Sequence, residues 1–153
     1  MNRLYAKIWP QIKALEVAPL KQAIYQIMKY TLNFLHSTQQ NVQCDVIGVY
    51  RSSVDGNMNN FLFDLTSLID ISKICIILGD FNICQRKDTN HIIIRTLLEK
   101  GFKKCIDFPT HVQGGRIDHG YIFLPMEYLF VNVTFDLFSP YYSDHYAMSI
   151  TIK

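Results

Sequence analysis

Ile74-Cys75-Ile76-Ile77-Leu78-Gly79-Asp80-Phe81-Asn82 is the stretch whose reading decides the fold. The apolar run through Leu78 is short and rich in isoleucine, the pattern of a strand buried on both faces. Gly79 lets the chain turn tightly without a Cβ clash, which sets Asp80 and Asn82 at the strand's C-terminal edge. In α/β sheets ligands bind at that edge. A carboxylate and an amide in alternate positions point to the same side, where they can hold a hydrated metal or orient a water beside a phosphate. An Asp/Asn turn after a strand would use the same residues, because both favour turns. This stretch alone leaves turn and site open.

Upstream, Val46 to Tyr50 reads as a strand ending in Tyr50-Arg51-Ser52-Ser53, followed by a loop around Asp55-Gly56-Asn57. A helix from about Asn59 to Ile69 places Phe61, Leu62, Leu65 and Leu68 on one face and leads into the Ile74 strand. Strand, helix, strand is a crossover unit, so the Tyr50 and Asp80 strands are expected in one sheet. Downstream, Ile93, Leu97 and Leu98 give helical spacing within Asn90 to Lys100, with Gly101 as the stop. Cys105 to Phe108 reads as a short strand before Pro109, and Thr110 to Gly115 as a turn-rich loop. Arg116 to Phe123, Val131 to Phe138 and His145 to Ile152 read as strands.

The N-terminal part differs. Leu20, Ile24, Ile27, Met28, Leu32 and Leu35 recur near helical spacing, with Pro19 suited to a first turn. The expectation is an amphipathic helix over Leu20 to Leu35, then a polar loop at Ser37 to Asn41. Residues 1–42 are thus read as a helical segment, distinct from the domain of residues 43–153. Strands and helices mix throughout, and the fold class expected is α/β, in layers.

The chain's 153 residues suffice for one domain with a substantial core, and 49% hydrophobic content argues for a packed chain. A net charge of +2 is close to balance and shows no strongly basic nucleic-acid groove. Cys44, Cys75, Cys84 and Cys105 form no CxxC pair, so zinc ligation is not expected and a reducing intracellular compartment is. Arg3, Lys7, Pro10, Gln11 and Lys13 interrupt any signal-peptide core. No stretch reaches the length of a membrane span.

Two Asp-His dipeptides complete the inventory. Asp118-His119 lies within the Arg116 to Phe123 strand, and Ser143-Asp144-His145 lies just before the last one. With Gly79-Asp80-Phe81-Asn82 they make three acid-bearing motifs beside sheet elements. A His in a sheet is commonly a hydrogen-bonded structural residue, so the pairs alone do not establish a site.

The order of the motifs carries more. A strand ending in Tyr50-Arg51-Ser52 comes first, then Gly79-Asp80-Phe81-Asn82. Thr110-His111 and Arg116-Ile117-Asp118-His119 follow, and Ser143-Asp144-His145 comes last. This series resembles the endonuclease/exonuclease/phosphatase superfamily, which includes deoxyribonuclease I and the apurinic endonucleases. Phe108-Pro109-Thr110-His111 through Asp118-His119, together with Tyr141-Tyr142-Ser143-Asp144-His145, look most like endonuclease domains of non-LTR retrotransposons and Helitron-like elements. The resemblance spans roughly Val46 to Lys153.

That resemblance implies an α/β/β/α sandwich, present here as a truncated, C-terminal part, and phosphoester hydrolysis with Mg2+ or Mn2+. It implies that Tyr50 contacts the scissile phosphate, that Asp80 positions or deprotonates the attacking water, and that Asn82 helps bind the phosphate. It further implies that His145 stabilises developing charge, oriented by Asp118, that Asp144 lies near the metal, and that Thr110 is a weaker phosphate contact. Arg116 is either a backbone-phosphate contact or a solvated surface residue.

One part of the pattern is missing. Members of the superfamily carry a metal-binding Glu on an early strand, and Glu16, the one glutamate before Tyr50, sits in no strand pattern. Metal binding is therefore expected to be weakened. The missing strands would also leave an apolar sheet face for the N-terminal helix or a protein partner to cover. Three functions stay open: a DNA endonuclease of mobile-element type, working in the nucleus; an inactive remnant serving as a binding module; and a phosphatase of the same superfamily.

Overall fold

The computed structural model describes residues 25–35, 40–53, 57–139 and 143–153. At its centre is β3 (Ile74–Asp80), whose first four residues are all buried. On one side β3 pairs in parallel with β2 (Asn41–Arg51), and on the other it pairs antiparallel with β5 (Asp118–Phe123). The parallel step from β2 to β3 is made through helix α1 (Met58–Ser67). Asn57 caps that helix by accepting from the amides of Asn59 and Asn60, which satisfies two otherwise orphaned donors. Outside β2 lies β1 (Tyr25–Leu35), and outside β5 the two-residue β4 (Lys103–Lys104). The five-stranded sheet thus runs β1-β2-β3-β5-β4. Helix α2 (Ile92–Glu99) follows β3, and β6 (Val133–Phe138) and β7 (Ala147–Ile152) form a separate antiparallel pair.

Period-two alternation divides the sheet between two cores. Ile47, Val49, Cys75, Ile77 and Tyr121 pack with Phe61 and Leu65 of α1 and Ile93, Ile94 and Leu97 of α2. Their sequence neighbours Val46, Ile74, Ile76 and Ile122 turn the other way, against Val133, Phe135, Ile150 and Ile152 of the β6–β7 pair. The described residues therefore form three layers, helices on sheet on sheet, and the fold class is mixed α/β as expected. The crossover reading is likewise seen directly: Tyr50 and Asp80 are partners in the parallel ladder.

The N-terminal helix is corrected. From Tyr25 to Leu35 the chain is a strand, paired with β2 over its whole length. The same residues carry a second period that the helical reading overlooks: Tyr30, Leu32 and Phe34 alternate with Lys29, Thr31 and Asn33. A buried polar cluster holds the register. Asp45 of β2 has no exposed surface, and both the Lys29 ammonium and the Thr31 hydroxyl reach its carboxylate at 2.7 Å. Burying that carboxylate is tolerable only with such partners, and both come from odd-numbered β1 positions. Leu20, Ile24, Glu16 and most of the polar loop lie outside the described residues.

The short strand expected at Cys105 to Phe108 is also corrected. The paired residues are Lys103 and Lys104, and Cys105 continues only through its amide, which donates to the Gly120 carbonyl at 2.9 Å. The sheet face expected to need a covering partner is overlaid by β6 and β7.

Candidate active site at the strand ends

Three strands converge at one edge with their register fixed by the ladders. Tyr50 of β2 is the cross-strand partner of Asp80, and Asp80 is the partner of Asp118 of β5. All three hold even-numbered positions, which in these strands face the β6–β7 layer, so the alternation itself puts them on one side. Tyr50 is 43% exposed, whereas Asp118 is buried.

The turn after β3 is built to hold Asp80. Its Oδ1 accepts from the Asn82 amide at 2.8 Å, closing an Asx turn. Asn82 adopts a left-handed φ of 50°, which Asn tolerates better than most residues. Its side-chain amide donates to the Arg51 carbonyl at 2.6 Å and, more weakly, to Asp80 Oδ2 at 3.4 Å. Arg51 in turn donates from Nη1 to the Phe81 carbonyl at 3.1 Å. Sequence reading quotes this buried arginine within Tyr50-Arg51-Ser52 but gives it no role.

Asp118 is supported from beneath and engaged from above. Its amide donates to Thr110 Oγ1 at 3.1 Å, and both of its carboxylate oxygens lie 3.0 Å from His145 Nδ1. Thr110, expected at the substrate phosphate, lies beneath the Asp118 backbone. It is fully buried, and its hydroxyl is occupied with the Asp118 backbone.

Electrostatics follow from this geometry. Burial raises the Asp80 carboxyl above its ordinary value; the Asn82 amide opposes that, while the facing Asp118 charge adds to it. For His145, burial works against the imidazolium, but the charge and hydrogen bond of Asp118 outweigh it, and its pKa is raised. Asp144 is lowered, first by its own backbone amide and then by a hydrogen bond from His111.

Sequence reading gives Asp144 a role but none to His111 of the Thr110-His111 motif, which lies 3.2 Å from it, Nε2 to Oδ2. The His111 ring also meets the His145 ring edge-on, with centroids 5.0 Å apart. Two groups of side chains could hold a metal ion: Asp80 with Asp118 and His145, and His111 with Asp144 and His145. In each, the donor atoms lie within 4.8 Å of one another. The Arg116 guanidinium is paired with the Asp107 carboxylate at 2.6 Å.

His119, the second half of the first Asp-His dipeptide, faces the opposite way into the helix-side core. Its Nε2 donates to the Ile83 carbonyl at 2.7 Å, Tyr121 Oη lies 3.0 Å from Nδ1, and its ring stacks on Phe81 at 4.6 Å. Burial pushes its pKa down to about 4, so it is a neutral, structural imidazole. It ties the Phe81–Ile83 turn to β5 directly behind Asp80.

No family model matches the sequence, and no curated protein matches it. Among solved structures, the chain is similar to the Haemophilus ducreyi cytolethal distending toxin, at 16% identity and a TM-score of 0.48, over 80% of this chain and 57% of that one. It is also similar to an endonuclease/exonuclease/phosphatase family protein from Leptotrichia buccalis, at 12% identity and a TM-score of 0.49, over 84% of this chain and 61% of that one. The chain thus spans about three-fifths of the length of each, 57% and 61%.

Proposed function

We propose that the chain hydrolyses phosphodiester bonds of DNA with a divalent cation, as an endonuclease of mobile-element type. The observation that carries this reading is the convergence of Asp80, Asp118 and His145 at one strand edge, with His145 Nδ1 3.0 Å from both oxygens of Asp118. The order of the motifs in the sequence points the same way. A DNA substrate implies work in the nucleus, and no helix among the described residues is long and apolar enough to cross a membrane.

Asp80 is assigned as the group that orients and deprotonates the attacking water. Its Oδ1 is held by the Asn82 amide, and burial brings its pKa nearer the working pH, which favours a general base. Asn82 keeps Asp80 in place, and its weaker bond at 3.4 Å leaves that amide hydrogen available to a phosphate oxygen. With Nδ1–H given to Asp118, His145 presents Nε2 to the substrate; as an imidazolium it offers a proton there to developing negative charge. Tyr50, across the ladder from Asp80, contributes its phenol to the phosphate.

The donor set fits a hard cation at the carboxylates. Asp80 and Asp118 share one metal-capable group with His145, and Asp144 shares the other with His111 and His145, so both offer carboxylate oxygens suited to Mg2+ or Mn2+. Such an ion, held by Asp144 as the resemblance implies, would polarise the phosphate and offset its charge.

Nicking of supercoiled plasmid with Mg2+ tests the reading, comparing the native chain with Asp80→Ala and His145→Ala. The expected result is Mg2+-dependent nicking that falls about 100- to 10,000-fold in each variant. Nicking equal in all three chains overturns it. A binding module without turnover is the second reading. Its support is that Glu99 and Glu127, the glutamates among the described residues, belong to neither metal-capable group. A folded chain that binds no Mn2+, nicks no DNA and releases no phosphate would select it.

A further inference from the structure

We propose that His111 is a positioning residue for Asp144, holding its carboxylate ready for a cation through a fixed Nε2–H tautomer. The role rests on the reading above, in which Asp144 meets the metal.

The tautomer follows from the ring's two neighbours. The Gln113 backbone amide donates to His111 Nδ1 at 3.1 Å, so Nδ1 carries the lone pair in the neutral ring. The ring proton is then on Nε2, directed at Asp144 Oδ2 3.2 Å away. With both nitrogens engaged, His111 offers no lone pair to a metal, so it acts through Asp144. This argues against reading the His111–Asp144–His145 group as three direct ligands.

Asp144 needs such help. Its side chain is 66% exposed, while that of His111 is 14% exposed. An exposed carboxylate samples several rotamers, and ordering it on binding opposes affinity. A bond to Oδ2 from a nearly enclosed ring selects one rotamer beforehand and leaves Oδ1 for the ion. Partners of this kind behind a ligand typically change metal affinity 10- to 100-fold.

The backbone makes the idea separable from folding. His111 and His145 form an isolated antiparallel bridge, the Val112 amide donates to the Asp144 carbonyl, and the Tyr146 amide donates to the Thr110 carbonyl, the last two at 2.9 Å. The loop is thus docked by main-chain bonds that survive loss of the imidazole.

The test is Mn2+ titration of the full chain, followed by electron paramagnetic resonance, for the native protein, His111→Ala and His111→Gln. Expected is Mn2+ affinity about 10- to 100-fold weaker in the Ala variant, and recovery in the Gln variant, whose amide N–H reaches a similar point. Native affinity in His111→Ala, or no recovery in a His111→Gln chain with a native melting midpoint, overturns the proposal. Imidazole 15N spectra of the metal-free chain supply the second readout. They should show an Nε2–H tautomer at His111 whose signal shifts in Asp144→Ala. An Nδ1–H tautomer, or no response to Asp144→Ala, overturns the pairing. A native chain that binds no Mn2+ instead overturns the metal reading and the metal role of His111, while the spectra still decide the His111–Asp144 contact.

Discussion

His145 Nδ1 lies 3.0 Å from each carboxylate oxygen of Asp118, so the ring proton is shared across the whole carboxylate. The pair joins the last of the five-stranded sheet's site-bearing strands to the loop that enters β7. It also sets which form the imidazole takes. Asp118 is the leading group that raises the His145 pKa against the burial that would lower it. A charged acceptor on Nδ1 both fixes the ring's orientation and favours the imidazolium.

Asp118→Asn removes that charge while keeping an acceptor oxygen. The His145 pKa should fall, readable as an imidazole titration by NMR. In nicking, an essential imidazolium and an essential Asp80 carboxylate give a bell-shaped pH profile. Activity should rise as pH passes the raised Asp80 value and decline as pH passes the raised His145 value. In Asp118→Asn the alkaline limb should move to lower pH, with the plateau rate down about 100- to 10,000-fold. An unmoved alkaline limb would assign it to another group.

Asp80→Asn should trade activity for stability. The Asp80 pKa is raised in the fold, so the folded state holds that proton more tightly than the unfolded chain does. Stability from this group therefore falls as pH rises from the ordinary carboxyl value through the raised one, and at neutral pH the charged carboxylate is a net burden. The amide keeps an oxygen for the Asn82 N–H and carries no charge. A higher thermal midpoint at pH 7 together with lost nicking is expected. A lower midpoint would mean that the carboxylate's hydrogen bonds outweigh its burial and the facing Asp118.

His119 should contribute acid sensitivity to the fold. Its pKa is about 4 when folded, against an ordinary value of 6.5, so the unfolded chain takes up the proton first. Stability is fully present above pH 6.5, falls as pH drops towards 4, and levels off below, for a total on the order of 3 kcal/mol. Denaturant midpoints measured between pH 7 and 4 should show this slope in the native chain. A His119→Gln variant should be less stable at pH 7 yet flatter across the window. An equal slope in both would place the acid sensitivity elsewhere.

Where the sequence was legible, one period dominated. The Ile74 to Leu78 run and the helical spacing around Phe61 and Leu65 admit few alternatives, and the parallel β2–β3 pairing follows from the crossover. Tyr25 to Leu35 fits both a helical stripe and an alternation, and a buried Asp45 with its Lys29 and Thr31 partners selects the strand. That selection depends on a residue outside the segment, which no local pattern contains. The site behaves likewise. Strand ends and the order of motifs point to Asp80, Asp118 and His145; the β3–β5 ladder pairs Asp80 with Asp118, and His145 reaches Asp118 from the segment before β7. His111, Arg51 and the burial of Thr110 come from which loop docks on which. The Asp118-His119 dipeptide shows the limit most directly, because one residue faces the site and the next faces the core.

Gly79 is where fold and site meet. Its φ is +146°, and a Cβ built there would lie 1.8 Å from the Val49 carbonyl oxygen and 2.7 Å from its carbon. Val49 and Gly79 are ladder partners one step before Tyr50 and Asp80, so the clash falls on backbone that sets the site's register. Gly79→Ala must push β2 and β3 apart, at about 3 kcal/mol or more. Gly114 separates this cause from conformational strain alone: it has φ +80°, and a Cβ there meets nothing within 4 Å. Gly114→Ala should therefore cost only about 1–2 kcal/mol, the left-handed penalty of an L-residue. Urea unfolding of both variants checks the pair. Equal losses would mean that β2 and β3 do not approach as closely at Val49 as the ladder requires, and the alignment of Tyr50 with Asp80 would lose its support. A much larger loss in Gly79→Ala, with nicking abolished, ties the glycine to the close strand contact on which the Asp80 edge is built.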